Sequence, residues 1–201
     1  PGNIYNGVAV VTNPDAKGKG TLVVLNDEIH YARNVMKTNT TTVQTFVSIN
    51  RGPAGVVNTG KIQWFEPMDR KVGPATGFSV DALDKLPRVD VIYAHANMSA
   101  DLIDAAIKNG AKGLVIAGVG DGNMTTPALD AVTRAAKSGI VVVRSTRLAS
   151  GITLRNNEVN DDEKGLVASG ELNPAKSRVL LQLALTKTND PVQIQRMFYE
   201  Y

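Results

Sequence analysis

Val89-Asp-Val-Ile-Tyr-Ala-His-Ala-Asn-Met-Ser-Ala-Asp-Leu-Ile-Asp-Ala-Ala-Ile-Lys-Asn-Gly-Ala-Lys-Gly-Leu-Val-Ile-Ala-Gly-Val-Gly-Asp-Gly-Asn123 is the stretch that decides the fold. It holds an apolar run, an amphipathic helical pattern and a second apolar run ending in Ala117-Gly-Val-Gly-Asp-Gly-Asn123. Short apolar runs bounded by turn residues, with a helical period between them, are the pattern of a parallel sheet covered by helices. In such a sheet, side chains just past the carboxyl end of a strand sit in the crevice where ligands bind. A flexible turn carrying Asp121 and Asn123 at that point offers a carboxylate, an amide and close backbone approach to a small polar ligand. The stretch points to a site as well as a fold, but it names no reaction.

Toward the C-terminus the pattern stays regular. Val89–Ala96 reads as strand, Ser99–Lys108 as helix, Gly113–Val119 as strand, Thr125–Lys137 as helix and Ile140–Arg144 as strand. Ser99 is a candidate cap, and Gly110 and Gly139 stand where helices stop. Ser145–Lys164 is a long polar loop and Leu166–Ala168 a last short strand. Asn173-Pro174 starts an apolar helix through Leu185, and Pro191 starts another. Alternating strand and helix with short connections predicts right-handed βαβ units.

Toward the N-terminus, residues 1–13 read as a helix and Thr21–Leu25 as a buried strand with Glu28–Tyr31 as its partner. Arg33–Ser48 reads as extended loop and short strand. Gly55–Phe65 reads as a hairpin around Asn58-Thr-Gly60. From Pro67 to Pro87 the periodicity fades while Pro, Gly and charge rise. The fold class is therefore α/β: residues 1–70 the remainder of an N-terminal domain, 71–88 a linker, and 89–201 a smaller C-terminal domain with a parallel sheet flanked by helices. Pro1-Gly2-Asn3, with no initiator Met and no cap before the first helix, reads as a chain cut inside a larger one.

Composition narrows the chemistry. The 201 residues include no cysteine, two histidines and 43% hydrophobic residues, for a net charge of +3. Without cysteine there is neither thiol catalysis nor a thiolate metal site. With His30 and His95 alone and the acids far apart, no metal site is expected; His95, at the end of a strand, reads as a satisfied buried imidazole. Lys and Arg are scattered, so neither nucleic acid nor membrane is an expected partner. The apolar runs fall far short of the roughly 20 residues that span a bilayer. No Gly-x-Ser-x-Gly elbow is present. Gly118-Val-Gly120-Asp-Gly122 fails the G-x-G-x-x-G dinucleotide spacing, so a nucleotide-binding loop ranks below a flexible turn closing a strand.

Two features stay open on the residues alone. Lys37, in Asn34-Val-Met-Lys-Thr-Asn-Thr-Thr-Thr42, is either a surface lysine or a base whose ammonium is desolvated and held by Thr and Asn oxygens. Asp121, Asn123 and Glu158 are either solvated loop residues or a carboxylate–amide cluster for an α-ammonium group.

At these residues the chain resembles the bacterial type II L-asparaginases and glutaminase-asparaginases. The resemblance runs through Val23-Val-Leu-Asn-Asp27, Met36-Lys-Thr-Asn-Thr40, Ala117–Asn123, Val142-Val-Arg-Ser-Thr-Arg147, Leu172-Asn-Pro-Ala-Lys176 and Arg178–Thr186. It implies the C-terminal part of a two-domain α/β amidohydrolase that converts L-asparagine, and L-glutamine as a second substrate, to the acid and ammonia. By resemblance Lys37 is the catalytic lysine, while Asn123 and Glu158 bind substrate, Glu158 at the α-amino group across a subunit interface. The resemblance also implies no cofactor, a homotetramer built as a dimer of intimate dimers, and a periplasmic location.

The family's nucleophilic threonine lies in an early Thr-Gly-Gly-Thr-Ile segment that these residues do not contain, and Thr38, Thr40, Thr41 and Thr42 do not replace it. The expectation is a nicked enzyme whose N-terminal segment is a separate chain, with residues 1–201 inactive alone. On this view helix 1–13 and strand 21–25 are left from a first parallel sheet, with exposed apolar faces and open edges. The alternative is a non-catalytic amino-acid-binding or regulatory domain built on Asp121, Asn123 and Glu158.

Overall fold

The computed structural model describes residues 1–65 and 67–201, in two compact units: Pro1–Gly77 with Tyr201, and Phe78–Glu200.

The first unit is built from hairpins. Helix α1 (Gly2–Thr12) precedes β1 (Leu22–Leu25), β2 (Glu28–Tyr31), β3 (Met36–Lys37), β4 (Phe46–Val47), β5 (Gly55–Asn58) and β6 (Lys61–Trp64). The main sheet has the order β1-β2-β5-β6 and is antiparallel throughout, while β3 and β4 form a separate two-stranded ribbon. Strand 21–25 therefore does not belong to a parallel sheet. A two-residue turn sends it straight back on β2, with Asn26 at φ 51° and Asp27 at φ 60°. Positive φ at both central positions matches the twist of a tight hairpin. Neither is β1 fully buried: it is the edge strand, and all four of its residues are half-buried. Thr59 and Gly60 repeat the turn between β5 and β6. Buried Asn6 clamps both turns, donating to Asp27 Oδ1 (3.0 Å) and accepting from the Gly60 N–H (3.2 Å). The core is Val10, Ile29, Tyr31, Ala54 and Val57. The outer face of α1 is apolar and open, with Ile4 74% and Val11 76% exposed.

The second unit contains β7 (Val89–Tyr93), α2 (Asp101–Lys108), β8 (Gly113–Gly118), α3 (Thr126–Lys137), β9 (Val141–Thr146), α4 (Asp161–Lys164), β10 (Val167–Ala168), α5 (Pro174–Ala184) and α6 (Pro191–Glu200). Its four strands are parallel in the order β10-β9-β8-β7. Leu114, Ile116 and Val142 pack against Ile103 and Ala106 of α2 and Ala128, Ala131, Val132 and Ala135 of α3. Alanines on α3 let it approach the sheet closely. Each large aliphatic side chain buried there contributes about 1.5–3 kcal/mol. Helix α5 covers β7, β8 and β9, and α6 covers β10.

The helix starts follow from their caps. Thr125 accepts from Ala128 N–H ahead of α3, and Asn173 accepts from Lys176 N–H ahead of α5, each with Pro in the first turn. Strand β10 is only two residues long. Its backbone is completed by Gln195 of α6, whose Oε1 accepts from Ala168 N–H (2.8 Å) and whose Nε2 donates to Ala168 O (3.1 Å).

Because the strands succeed one another in chain order, this sheet has no reversal point. A crevice at the carboxyl ends requires such a reversal. The groups at the ends of β8 and β9 therefore stand on a rim rather than in the expected crevice.

Candidate functional site

The rim is built from two loops. The first leaves β8 as a closed turn in which Val119 and Asn123 exchange both backbone hydrogen bonds, each 2.8 Å. Its glycines are structural. A Cβ on Gly118 would lie 2.4 Å from the Gly122 carbonyl carbon. Gly122, at φ 76°, would place one 2.9 Å from Arg144 Nη1. The second loop leaves β9 and runs through Leu154–Glu158 to α4.

Between them lies Arg144, fully buried in β9. Its Nε and Nη2 donate to Asp161 Oδ1 (2.6 Å) and Oδ2 (2.7 Å), and Asp161 is equally buried. The remaining donors reach the carbonyls of Asp121 (2.8 Å) and Leu154 (3.1 Å). A buried guanidinium is tolerated because its donors are met this way.

On this frame the exposed side chains of Asn123 and Glu158 meet, Asn123 Nδ2 donating to Glu158 Oε2 at 3.3 Å. Asn123 Oδ1 accepts from Met124 N–H (2.8 Å), which turns the amide nitrogen toward the carboxylate. This bond engages one of the two oxygens of the exposed Glu158 carboxylate. Asp121 behaves differently: both its oxygens are engaged, by Leu154 N–H (2.7 Å) and Asn157 Nδ2 (2.6 Å). The three-residue cluster read from the sequence thus divides into an exposed pair and a carboxylate turned to its own chain.

Lys37 lies in the first unit, on β3 opposite Phe46. It is exposed, with Nζ 5.4 Å from the Phe46 ring centroid. The Thr and Asn oxygens do not enclose it. Asn39 Oδ1 accepts from the N–H groups of Thr41 (2.9 Å) and Thr42 (3.1 Å), and Thr45 Oγ1 donates to Asn39 O (2.5 Å). Those oxygens shape the loop and leave the ammonium in solvent, so the desolvated-lysine reading does not describe this unit.

The buried imidazole is His30 and not His95. His95 is exposed, Nδ1 lying 2.8 Å from Ala96 O, because β7 ends at Tyr93 and His95 stands in the turn beyond. His30 is the buried one, with Nδ1 2.9 Å from Ser48 Oγ. Its Nε2 is 3.1 Å from Glu28 Oε2 but not aligned for a hydrogen bond. Burial lowers its pKa from 6.5, against the opposing pull of Glu28. Below about pH 6.5 the unfolded chain therefore takes up a proton that the folded one resists. Stability present above that pH is lost on acidification until the lower folded pKa is passed. Urea titrations from pH 7.5 to 5 should show this decline, and His30→Gln should flatten it; an equal decline in both proteins would exclude His30 as the source.

A family model described as "Asparaginase, N-terminal" matches residues 1–70, and one described as "Glutaminase/Asparaginase C-terminal domain" matches residues 88–198. The chain belongs to the asparaginase family. It is 51% identical over 201 residues to L-asparaginase 2 of Bacillus subtilis (strain 168), covering 100% of this chain and 53% of that protein. It is 46% identical over 201 residues to a probable periplasmic L-asparaginase of Haemophilus influenzae, covering 100% of this chain and 58% of the relative. Identity to a glutaminase-asparaginase of Pseudomonas fluorescens biotype A is 38% over 200 residues, 99% of this chain and 55% of the relative. The chain thus spans little more than half the length of these relatives.

In this asparaginase-family chain, the sequence reading missed Arg144 and Asp161 as the frame of the site. One signal was available: an arginine inside Val141-Val-Val-Arg-Ser-Thr146, a strand otherwise fit for burial, must find an internal partner.

Proposed function

We propose that residues 1–201 supply the lysine and the α-ammonium site of an L-asparaginase that hydrolyses L-asparagine, with L-glutamine as a second substrate. The observation that carries this reading is the exposed Asn123–Glu158 pair, held on a rigid rim in a chain of this family. Glu158 offers a carboxylate to the substrate's α-ammonium, and Asn123 orients that carboxylate; both roles are positional. A threonine hydroxyl on sequence outside these residues attacks the side-chain amide, ammonia leaves, and water then releases the acid. Lys37 sets the protonation of the group that accepts the threonine proton.

The assembled enzyme is a homotetramer in the periplasm. The open apolar face of α1 supports a covering surface in that assembly. No helix among the described residues is long and apolar enough to cross a membrane.

The decisive experiment follows ammonia release from L-asparagine by the isolated 201 residues, then by the same chain with the threonine-bearing segment supplied. We expect none in the first case and turnover in the second. Hydrolysis by the isolated chain would place the nucleophile within it. Amino-acid binding without hydrolysis in the complete protein would favour a sensing domain instead. In the active enzyme, Glu158→Gln should raise KM roughly 10–100-fold with kcat little changed, since one charged contact is lost in ground and transition state alike. Unchanged KM would remove Glu158 from the site.

A further inference from the structure

Asp121, two residues before Asn123, has both carboxylate oxygens engaged. Its Oδ1 accepts from Leu154 N–H at 2.7 Å and its Oδ2 from Asn157 Nδ2 at 2.6 Å. Both partners belong to the loop that delivers Glu158, and Asp121 itself sits two residues before Asn123. The backbone on either side of these bonds is anchored. Asp121 O and Leu154 O both accept from buried Arg144, and Asn156 N–H donates to Oδ2 of buried Asp161 at 2.8 Å. The result is a closed ring, Arg144–Asp161–Asn156–Asn157–Asp121, in which the Asp121 carboxylate joins the turn after β8 to the loop after β9.

The pair it flanks cannot hold itself in register. A single 3.3 Å hydrogen bond between two exposed side chains contributes too little to offset the freedom of both.

We propose that Asp121 is a positioning residue: it cross-links the turn after β8 to Leu154–Asn157, so that Asn123 and Glu158 are presented together to the α-ammonium group. The inference rests on the substrate reading above. Asp121 touches no substrate. It limits the motion of the groups that do, and its loss acts at the ammonium end alone.

The test uses Asp121→Ala and Asp121→Asn in the full-length protein, with L-asparagine and with succinamate, the same amide lacking the α-amino group. For Asp121→Ala we expect KM for L-asparagine to rise about tenfold with kcat and the succinamate KM unchanged, and Asp121→Asn to recover part of the loss. Combined with Glu158→Gln, Asp121→Ala should add little further effect, because it works through that residue. Amide hydrogen exchange should quicken from Leu154 to Glu158 and stay slow in Leu114–Ala117. Additive effects of Asp121→Ala and Glu158→Gln would make Asp121 an independent ligand and overturn the proposal. Equal losses with both amides, or unchanged exchange at Leu154–Glu158, would also overturn it. If Glu158→Gln alone leaves KM for L-asparagine unchanged, the substrate reading falls instead, and the cross-link stands or falls on the exchange result.

Discussion

In the complete enzyme proposed above, Lys37→Met should lower kcat for amide hydrolysis by about 10²–10⁴-fold while leaving KM within a few-fold, the loss expected when a group that serves the chemical step rather than binding is removed. The substitution isolates the charge. Lys37 is exposed, and the loop that follows it is held by Asn39, Thr41, Thr42 and Thr45, none of which bonds to its ammonium. Met keeps the aliphatic stem over Phe46 and removes only the ammonium group. Lys37→Arg keeps the charge but cannot give up a proton near neutral pH. Recovery by Arg would make the lysine an electrostatic aid; continued loss would make it a proton carrier. Circular dichroism of both variants should match the parent. A kcat unchanged in Lys37→Met would take Lys37 out of the chemistry.

The second large effect is on stability. Arg144→Met should cost about 3–5 kcal/mol, because it leaves the Asp161 carboxyl group buried without its guanidinium partner. For a unit of this size that is a fall in Tm of roughly 10–20 °C. The carbonyls of Asp121 and Leu154 lose their donor at the same stroke, so both loops at the rim loosen as well. Arg144→Met combined with Asp161→Leu should regain much of the loss, since no unpaired charge remains. Thermal unfolding followed by circular dichroism reads both variants. A Tm for Arg144→Met within a degree or two of the parent would show the pair to be dispensable.

How far the molecule is legible in its sequence differs between its parts. The parallel sheet is legible because Val89–Tyr93, Leu114–Gly118 and Val141–Thr146 are apolar runs separated by helical periods, and both patterns are local. The hairpin around Thr59-Gly60 is legible for the same reason. In the first sheet the turn at Asn26-Asp27 and the pairing of its flanking strands are legible, and what misleads is placing strand 21–25 in a parallel sheet, since the partners that complete the sheet lie about 30 residues on, in β5 and β6. Strands β3 and β4, two residues each, exist only by pairing with one another. Asn123 and Glu158 are recognisable one by one, yet their meeting depends on Arg144 reaching Asp161, 17 residues away and in a different element. His30 and His95 have the same side chain but stand in different settings, one inside β2 and one beyond the end of β7. Burial separates them, and burial is set by where each strand ends.

The order of the second sheet has a consequence for how the chain acquires it. Strands β7, β8, β9 and β10 are made in the order in which they lie, so each new one finds its neighbour already in place and docks at one growing edge without threading. The sheet still lacks one cover at that stage, because α5 and α6 follow all four strands along the chain. Until Gln195 arrives, Ala168 has no partner for its backbone, and the newest edge stays open to any passing strand. Nascent chains ending before residue 174 should therefore remain collapsed but unlocked, dependent on chaperones, and prone to join one another through β10. Completion of this unit waits for its final two helices, and the interval before they emerge is its most hazardous.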